Sequence, residues 1–193
     1  MLEDVYSGNA SNFSVQIGRL KALPKQPDFY YIAAMPYSIG PIVKQFRNVG
    51  LVGPIVGGDG YDTPDIISIA GNASDNVFFT SHALMDSEKG TIGIKRFIVA
   101  YNKEYGHDPE NAFAALGYDA IYLIADAIGR TGSTDPAEIH KAIQDTRDFP
   151  GITGRISYPN GVHVPRKSVS IIAIKDGKFT LEAEFEPKKV PPP

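Results

Sequence analysis

Between residues 29 and 80 the chain twice alternates a short apolar run with a segment of helical spacing, and no other feature restricts its fold as much. FYYIAA (29–34) is an aromatic-rich run of strand length. Ile39, Ile42, Val43 and Phe46 then recur at helical spacing and stop at Gly50. Pro54, Ile55 and Val56 lead into a cluster of glycines. Thr63 follows as an N-cap with Pro64 at the first helical position and Ile66, Ile67 and Ile69 behind it. VFFT (77–80) closes the series. A strand-helix unit repeated in this order fits parallel strands joined by helical crossovers, so the expected class is α/β, a parallel sheet with flanking helices.

Beyond residue 80 the alternation stops. Ile94, Phe97, Ile98, Tyr101 and Tyr105 mark an amphipathic helix ending at Gly106. A second helix, from about Ala112 to Ile128, is apolar over most of its circumference (Phe113, Leu116, Tyr118, Tyr122, Leu123, Ile124, Ile128), which predicts burial between layers. A third starts at Asp135 as N-cap, with Pro136 and then Glu138. After Pro150 come RISY, a turn at Asn160-Gly161, SVSIIAIK, a turn at Asp176-Gly177, and KFTLEAEFE with Phe179, Leu181, Ala183 and Phe185 alternating. These are β-hairpin patterns, and the closing KKVPPP reads as a frayed end. The expected organisation is βαβαβ over 1–80, helices over 81–153, and C-terminal β-strands over 154–193.

Composition excludes several functions. With 193 residues, 42% of them hydrophobic, the chain can bury a sizeable core. A net charge of -3 gives no broad basic field, so nucleic acid is not an expected partner. The absence of cysteine rules out disulfides, thiolate zinc sites and thiol catalysis. No apolar stretch is expected to reach the roughly 20 residues that cross a bilayer, and MLEDVYSGNASN has neither the basic start nor the apolar run of an export signal. His82, His107, His140 and His163 are scattered, with neither metal-ligand spacing nor a Ser/His/Asp order. Neither an enzyme nor a metal or other cofactor is expected.

The stretch VGGDGYDTPD (56–65) is the candidate site, because ligands of open parallel sheets sit outside the carboxyl ends of the strands. Gly57, Gly58 and Gly60 permit a close backbone approach that brings Asp59 and Tyr61 to the rim, with Met35-Pro36-Tyr37-Ser38 beside them. A lone carboxylate there suits an ammonium group. The competing reading is an Asx-turn or helix cap, a role that Asp62 fits better than Asp59. Gly58-Asp59-Gly60 also half-matches a dinucleotide fingerprint, but the third glycine is missing and a carboxylate in a phosphate cradle repels pyrophosphate.

The series DFYYIAAMPYSIGPIVKQFRNVGL, PIVGGDGYDTPDIISIAG, FAALGYDAIYLIADAI and FPGITGRISYPNG resembles the periplasmic solute-binding proteins of ABC importers, specifically the branched-chain amino acid and amide group of the type I periplasmic-binding fold. The resemblance covers nearly the whole chain. It implies a two-lobed, hinge-closing receptor that traps a small solute between α/β lobes and delivers it to an ABC permease, outside the cytoplasm. By the same resemblance Asp59 holds the ligand's ammonium, Met35 and Tyr37 form a wall from the same lobe, and Phe113, with Tyr118, packs on the ligand from the other. The family runs to about twice this length. The resemblance begins inside the second lobe, so a partial second lobe (1–80), a helical return to the first (81–153) and a hinge with terminal strands (154–193) are expected, and the N-terminal lobe is a missing partner. A ligand-sensing domain of a receptor or regulator is the alternative, because the same fold serves both.

Overall fold

The computed structural model describes residues 2–8, 10–159 and 163–188. The expected Asn160-Gly161 turn and all but the first residue of the KKVPPP end lie outside them. The chain forms two compact units, residues 1–81 with 171–182, and residues 82–170 with 183–193.

In the first unit, α1 (Ser14–Lys21) is a short helix that the sequence reading missed. It buries Ile17, and Phe13 just before it, while Gln45 of the next helix accepts from the Phe13 amide at 2.9 Å. Strand β1 (Tyr30–Tyr31), helix α2 (Pro36–Asn48), strand β2 (Ile55–Gly57), helix α3 (Asp65–Ala70) and strand β3 (Val77–Ser81) then follow the expected order. β1 pairs parallel with β2, and β2 parallel with β3. Ile39, Ile42, Val43 and Phe46 form the buried face of α2, as their spacing requires. Thr63 does cap α3, its Oγ1 accepting from the Asp65 amide at 3.3 Å, although the regular helix begins after Pro64. At Gly40 a Cβ would stand 2.9 Å from the Asp65 carbonyl oxygen, so α2 and α3 pack backbone to backbone there. Arg47 donates to the carbonyls of Leu51, Gly53, Asp75 and Asn76, tying together the loops that enter β2 and β3.

Two later strands, β6 (Val169–Lys175) and β7 (Lys178–Phe185), extend this sheet to the order β1-β2-β3-β6-β7. They are joined at Asp176 and Gly177, whose φ of 52° and 66° are those of a two-residue hairpin turn. The last expected segment is therefore divided, residues 171–182 packing with the first unit and the remainder with the second.

The second unit holds α4 (Ile92–Tyr105), α5 (Ala112–Thr131), α6 (Pro136–Gln144) and a small antiparallel pair, β4 (Phe149–Gly151) and β5 (Gly154–Ile156). Thr91 caps α4, Gly106 and Gly132 end α4 and α5 with left-handed φ, and Asp135 accepts from the amides of Ala137 and Glu138 at the start of α6. Asp126 and Arg130, one helical turn apart, pair at 2.8 Å on the surface of α5.

Two expectations about α5 are corrected. It is not buried on most sides: only Ala112, Ala115, Asp119, Leu123 and Ala127 are buried, a single stripe, while Ile121 is 66% and Tyr122 54% exposed. And at 20 residues, with a mean hydropathy of 1.4 over its most apolar window, it is by length and composition long and apolar enough to cross a membrane. The sequence pattern showed an all-round apolar helix, but whether anything covers its second face is a tertiary matter.

Candidate functional site

β2 ends at Gly57, and the chain turns at once through a single 3-10 turn, Asp59–Tyr61. The Tyr61 amide donates to the Gly58 carbonyl at 3.2 Å, and the Asp62 amide to that of Asp59 at 3.0 Å. Beneath the turn the Tyr61 side chain is fully buried, its ring tilted against Phe79 and its hydroxyl donating to the Ile32 carbonyl at 2.6 Å. Burial pushes the Tyr61 hydroxyl far above its ordinary pKa, so it remains a proton donor at any physiological pH. Tyr61 therefore does not reach the rim, contrary to expectation. It is the peg that fixes the turn carrying Asp59.

The glycines follow from that peg. A Cβ at Gly57 would stand 2.1 Å from the Tyr61 ring, and one at Gly60 2.3 Å from the Ala34 carbonyl oxygen. Gly58, by contrast, has open space around it. Two of the three glycines thus admit the protein's own Tyr61 and the adjacent loop. The contact of Gly60 with Ala34 and Met35 brings the loops after β1 and β2 together. Asp59 is exposed on this rim, with Met35 55% and Tyr37 59% exposed where α2 begins. Ser38 fixes that start, accepting from the Met35 amide at 3.2 Å and donating to its carbonyl at 3.0 Å.

Asp62 is more than a surface turn residue. It is buried and accepts a 2.7 Å hydrogen bond from Ser81 Oγ at the end of β3, locking the far side of the turn to the sheet. A carboxylate two residues before a helix reads as a cap in sequence. Only the fold shows which hydroxyl it meets.

In the second unit, Phe113 is 40% exposed in the first turn of α5, its amide held by the Asn111 side chain at 3.1 Å and its ring set edge-on to His82 at 6.1 Å. Tyr118 is not grouped with it. Five residues on, it lies about 140° further round the helix, in a row of rings formed with Tyr122 (4.4 Å) and Phe97 (5.3 Å) that continues to Tyr101 and Tyr105. Beneath this surface the buried Asp119 accepts from the amides of Ile152 and Thr153 and from Thr153 Oγ1 at 2.6–2.9 Å, clamping the tip of the β4–β5 hairpin. Lys167 is drawn into the same region, its Nζ 3.4 Å from the His82 carbonyl. Burial lowers its pKa to about 8, a shift that the charges of Asp119 and Glu184 oppose. The sequence reading overlooked both. Among the described residues no group of three or more His, Cys, Asp or Glu is placed to hold a metal ion.

The family model for periplasmic binding proteins matches residues 1–178. The chain is 29% identical over 160 residues to Leu/Ile/Val-binding protein homolog 1 of Brucella abortus (strain 2308), covering 81% of this chain and 41% of that protein. It is 26% identical over 147 residues to the leucine-, isoleucine-, valine-, threonine- and alanine-binding protein of Pseudomonas aeruginosa, covering 76% and 38%. Among solved structures, the leucine binding protein LivK of Thermotoga maritima superposes with a TM-score of 0.79 at 35% identity, over 93% of this chain and 50% of that one. The substrate binding protein LivJ of Streptococcus pneumoniae in complex with isoleucine gives 0.79 at 29%, over 94% and 51%. The chain spans about half the length of these relatives or less. This chain belongs to the periplasmic binding protein family.

Proposed function

We propose that this chain is part of the solute-binding component of an ABC importer, acts outside the cytoplasm with a permease as partner, and grips the ammonium group of an aliphatic amino acid through Asp59. The observation that carries the reading is the exposed Asp59 carboxylate on a turn pinned from below by buried Tyr61 and from the side by Asp62 and Ser81. A carboxylate held on so fixed a turn is set for a cation before the cation arrives. Met35 and Tyr37 stand beside it at the start of α2 as an apolar wall for an aliphatic side chain. The names of relatives from Brucella and Pseudomonas, and isoleucine in the pneumococcal structure, favour a branched-chain amino acid. In this reading residues 1–81 with 171–182 make up most of the family's second lobe, and the reaction is binding and release without chemistry.

The test is an amide NMR titration of the chain with isoleucine, with 2-methylbutylamine (no carboxylate) and with 3-methylpentanoate (no ammonium). The first two are expected to shift the amides of 35–38 and 58–62, and the third to leave them unmoved. In this exposed setting an ion pair contributes up to about 1 kcal/mol, so Asp59→Asn weakens isoleucine by up to about 5-fold. Equal shifts from 3-methylpentanoate, or unchanged affinity in Asp59→Asn, would overturn the assignment.

A further inference from the structure

The irregular segment ahead of α1 is braced from two helices. Gln16 of α1 donates to the Val5 carbonyl at 3.0 Å, and Arg19 Nη1 donates to both carboxylate oxygens of Asp4 at 2.8 and 2.9 Å. From α2, Gln45 donates to the Ser11 carbonyl at 3.0 Å while its own oxygen accepts from the Phe13 amide. The Tyr6 ring stands edge-on to buried Phe13, the centroids 5.3 Å apart. So fixed, Tyr6 reaches the end of β1, where its hydroxyl donates to the Ala33 carbonyl at 2.5 Å. Tyr61 donates to the carbonyl just before it, that of Ile32. Two tyrosines far apart in sequence thus hold successive carbonyls shortly before Met35. Gly8 brings the same segment against Tyr37, since a Cβ there would stand 3.6 Å from the Tyr37 hydroxyl.

We propose that Tyr6 is a positioning residue for the side-chain wall of the ligand site: through the Ala33 carbonyl it sets where Met35 and Tyr37 stand, and so how closely an aliphatic side chain packs on them. The inference rests on the reading of Asp59 as an ammonium grip, and it assigns the two parts of the ligand to separate supports. The turn carrying Asp59 has its own anchors, Tyr61 beneath it and the Asp62–Ser81 bond at its side. The bonds of Ser38 to Met35 join the start of α2 to Met35 itself, but they do not tie Met35 to the sheet. That tie is made two residues earlier, where Tyr6 binds Ala33 to the braced segment. A hydroxyl suits the task better than a bare ring, because a short O–H···O bond fixes a carbonyl in direction as well as in distance. A wall held in place before the ligand arrives loses less on binding than one that must be ordered then.

Tyr6→Phe removes only the hydroxyl and keeps the ring on Phe13, so the far-ultraviolet circular dichroism spectrum is expected to stay unchanged. Without ligand, amide exchange at Ser38 and Ile39, both bonded to the Met35 carbonyl, is expected to quicken about 5-fold, the contribution of one hydrogen bond, while that at Tyr61 and Asp62 holds steady. With ligand, NMR titration is expected to show isoleucine weakened about 4-fold, the equivalent of one methylene losing its contact, and glycine, which has no side chain to set against the wall, bound as before. Tyr31→Phe, at an exposed tyrosine of β1, is expected to change neither readout. Unaltered exchange at Ser38 and Ile39 in Tyr6→Phe overturns the proposal, and so does equal weakening of isoleucine and glycine, which would mark Tyr6 as purely structural. A wild-type chain whose amides at 35–38 and 58–62 ignore isoleucine overturns the ammonium reading and this proposal together. Normal isoleucine binding with the same selectivity in Tyr6→Phe overturns this proposal alone.

Discussion

Gly57 tests whether the turn that carries Asp59 is built around Tyr61. A methyl group added at residue 57 would lie 2.1 Å from Cζ of the Tyr61 ring and 2.5 Å from both Cε1 and the hydroxyl oxygen, where ordinary contacts are well over 3 Å. The ring cannot swing aside, since it is fully buried against Phe79 and its hydroxyl is bonded to the Ile32 carbonyl. Gly57→Ala must therefore displace either strand β2 or the ring, and overpacking of this kind costs about 1–3 kcal/mol. For a chain of this size that lowers the melting midpoint by roughly 2–12 °C. In a Tyr61→Leu background, itself destabilised by about 2–4 kcal/mol, the obstructing ring is gone and Gly57→Ala is expected to cost under about 0.5 kcal/mol. The coupling between the two sites is then about 0.5–3 kcal/mol. Gly60→Ala supplies the contrast: its methyl would meet a backbone oxygen, that of Ala34 at 2.3 Å, so its penalty persists in both backgrounds. Urea denaturation of the wild type and the five variants gives each value. A Gly57→Ala penalty of equal size with and without Tyr61 would refute the reasoning.

Asp62→Asn is expected to cost about 1.5–3 kcal/mol, because a buried charge-assisted bond from Ser81 is weakened, whereas the exposed Asp59→Asn stays within about 0.5 kcal/mol; thermal melts separate the two. Asp119→Ala leaves the amides of Ile152 and Thr153 and the Thr153 hydroxyl without their acceptor and is expected to cost about 3–5 kcal/mol, with amide exchange accelerated first at 151–154. Lys167 ionises at about 8 in the folded chain, below the usual lysine value of about 10.4 for the unfolded one. Between those values the unfolded state binds more protons, so this group makes stability rise with pH from about 8 to 10.4. Lys167→Met is expected to raise stability at pH 7 and to flatten that rise in denaturation curves taken across the window. An unchanged slope would show that the ammonium is solvated.

Much of the fold was legible because it rests on local rules. The alternation over residues 29–80 gave β1-α2-β2-α3-β3 in order, since a period of 2 or 3.6 in apolar residues records which face meets the core. Caps behaved likewise: Asp135, Thr63 and the left-handed Gly106 act on amides or dihedrals within a few residues of themselves, so their roles can be read without the rest of the molecule. Asp59 at the end of β2 was legible for the same reason, as a loop residue on a parallel strand. Decided by tertiary structure alone was the placement of side chains whose partners are distant in sequence. Tyr61 turns inward to Ile32, 29 residues away, Asp62 finds Ser81, and Asp119 reaches a hairpin more than 30 residues on. The apolar circumference of α5 was likewise plain in sequence, yet only the packed structure shows one stripe covered and the other open. Periodicity reports a residue's neighbours along its own element, whereas burial depends on which elements arrive from elsewhere.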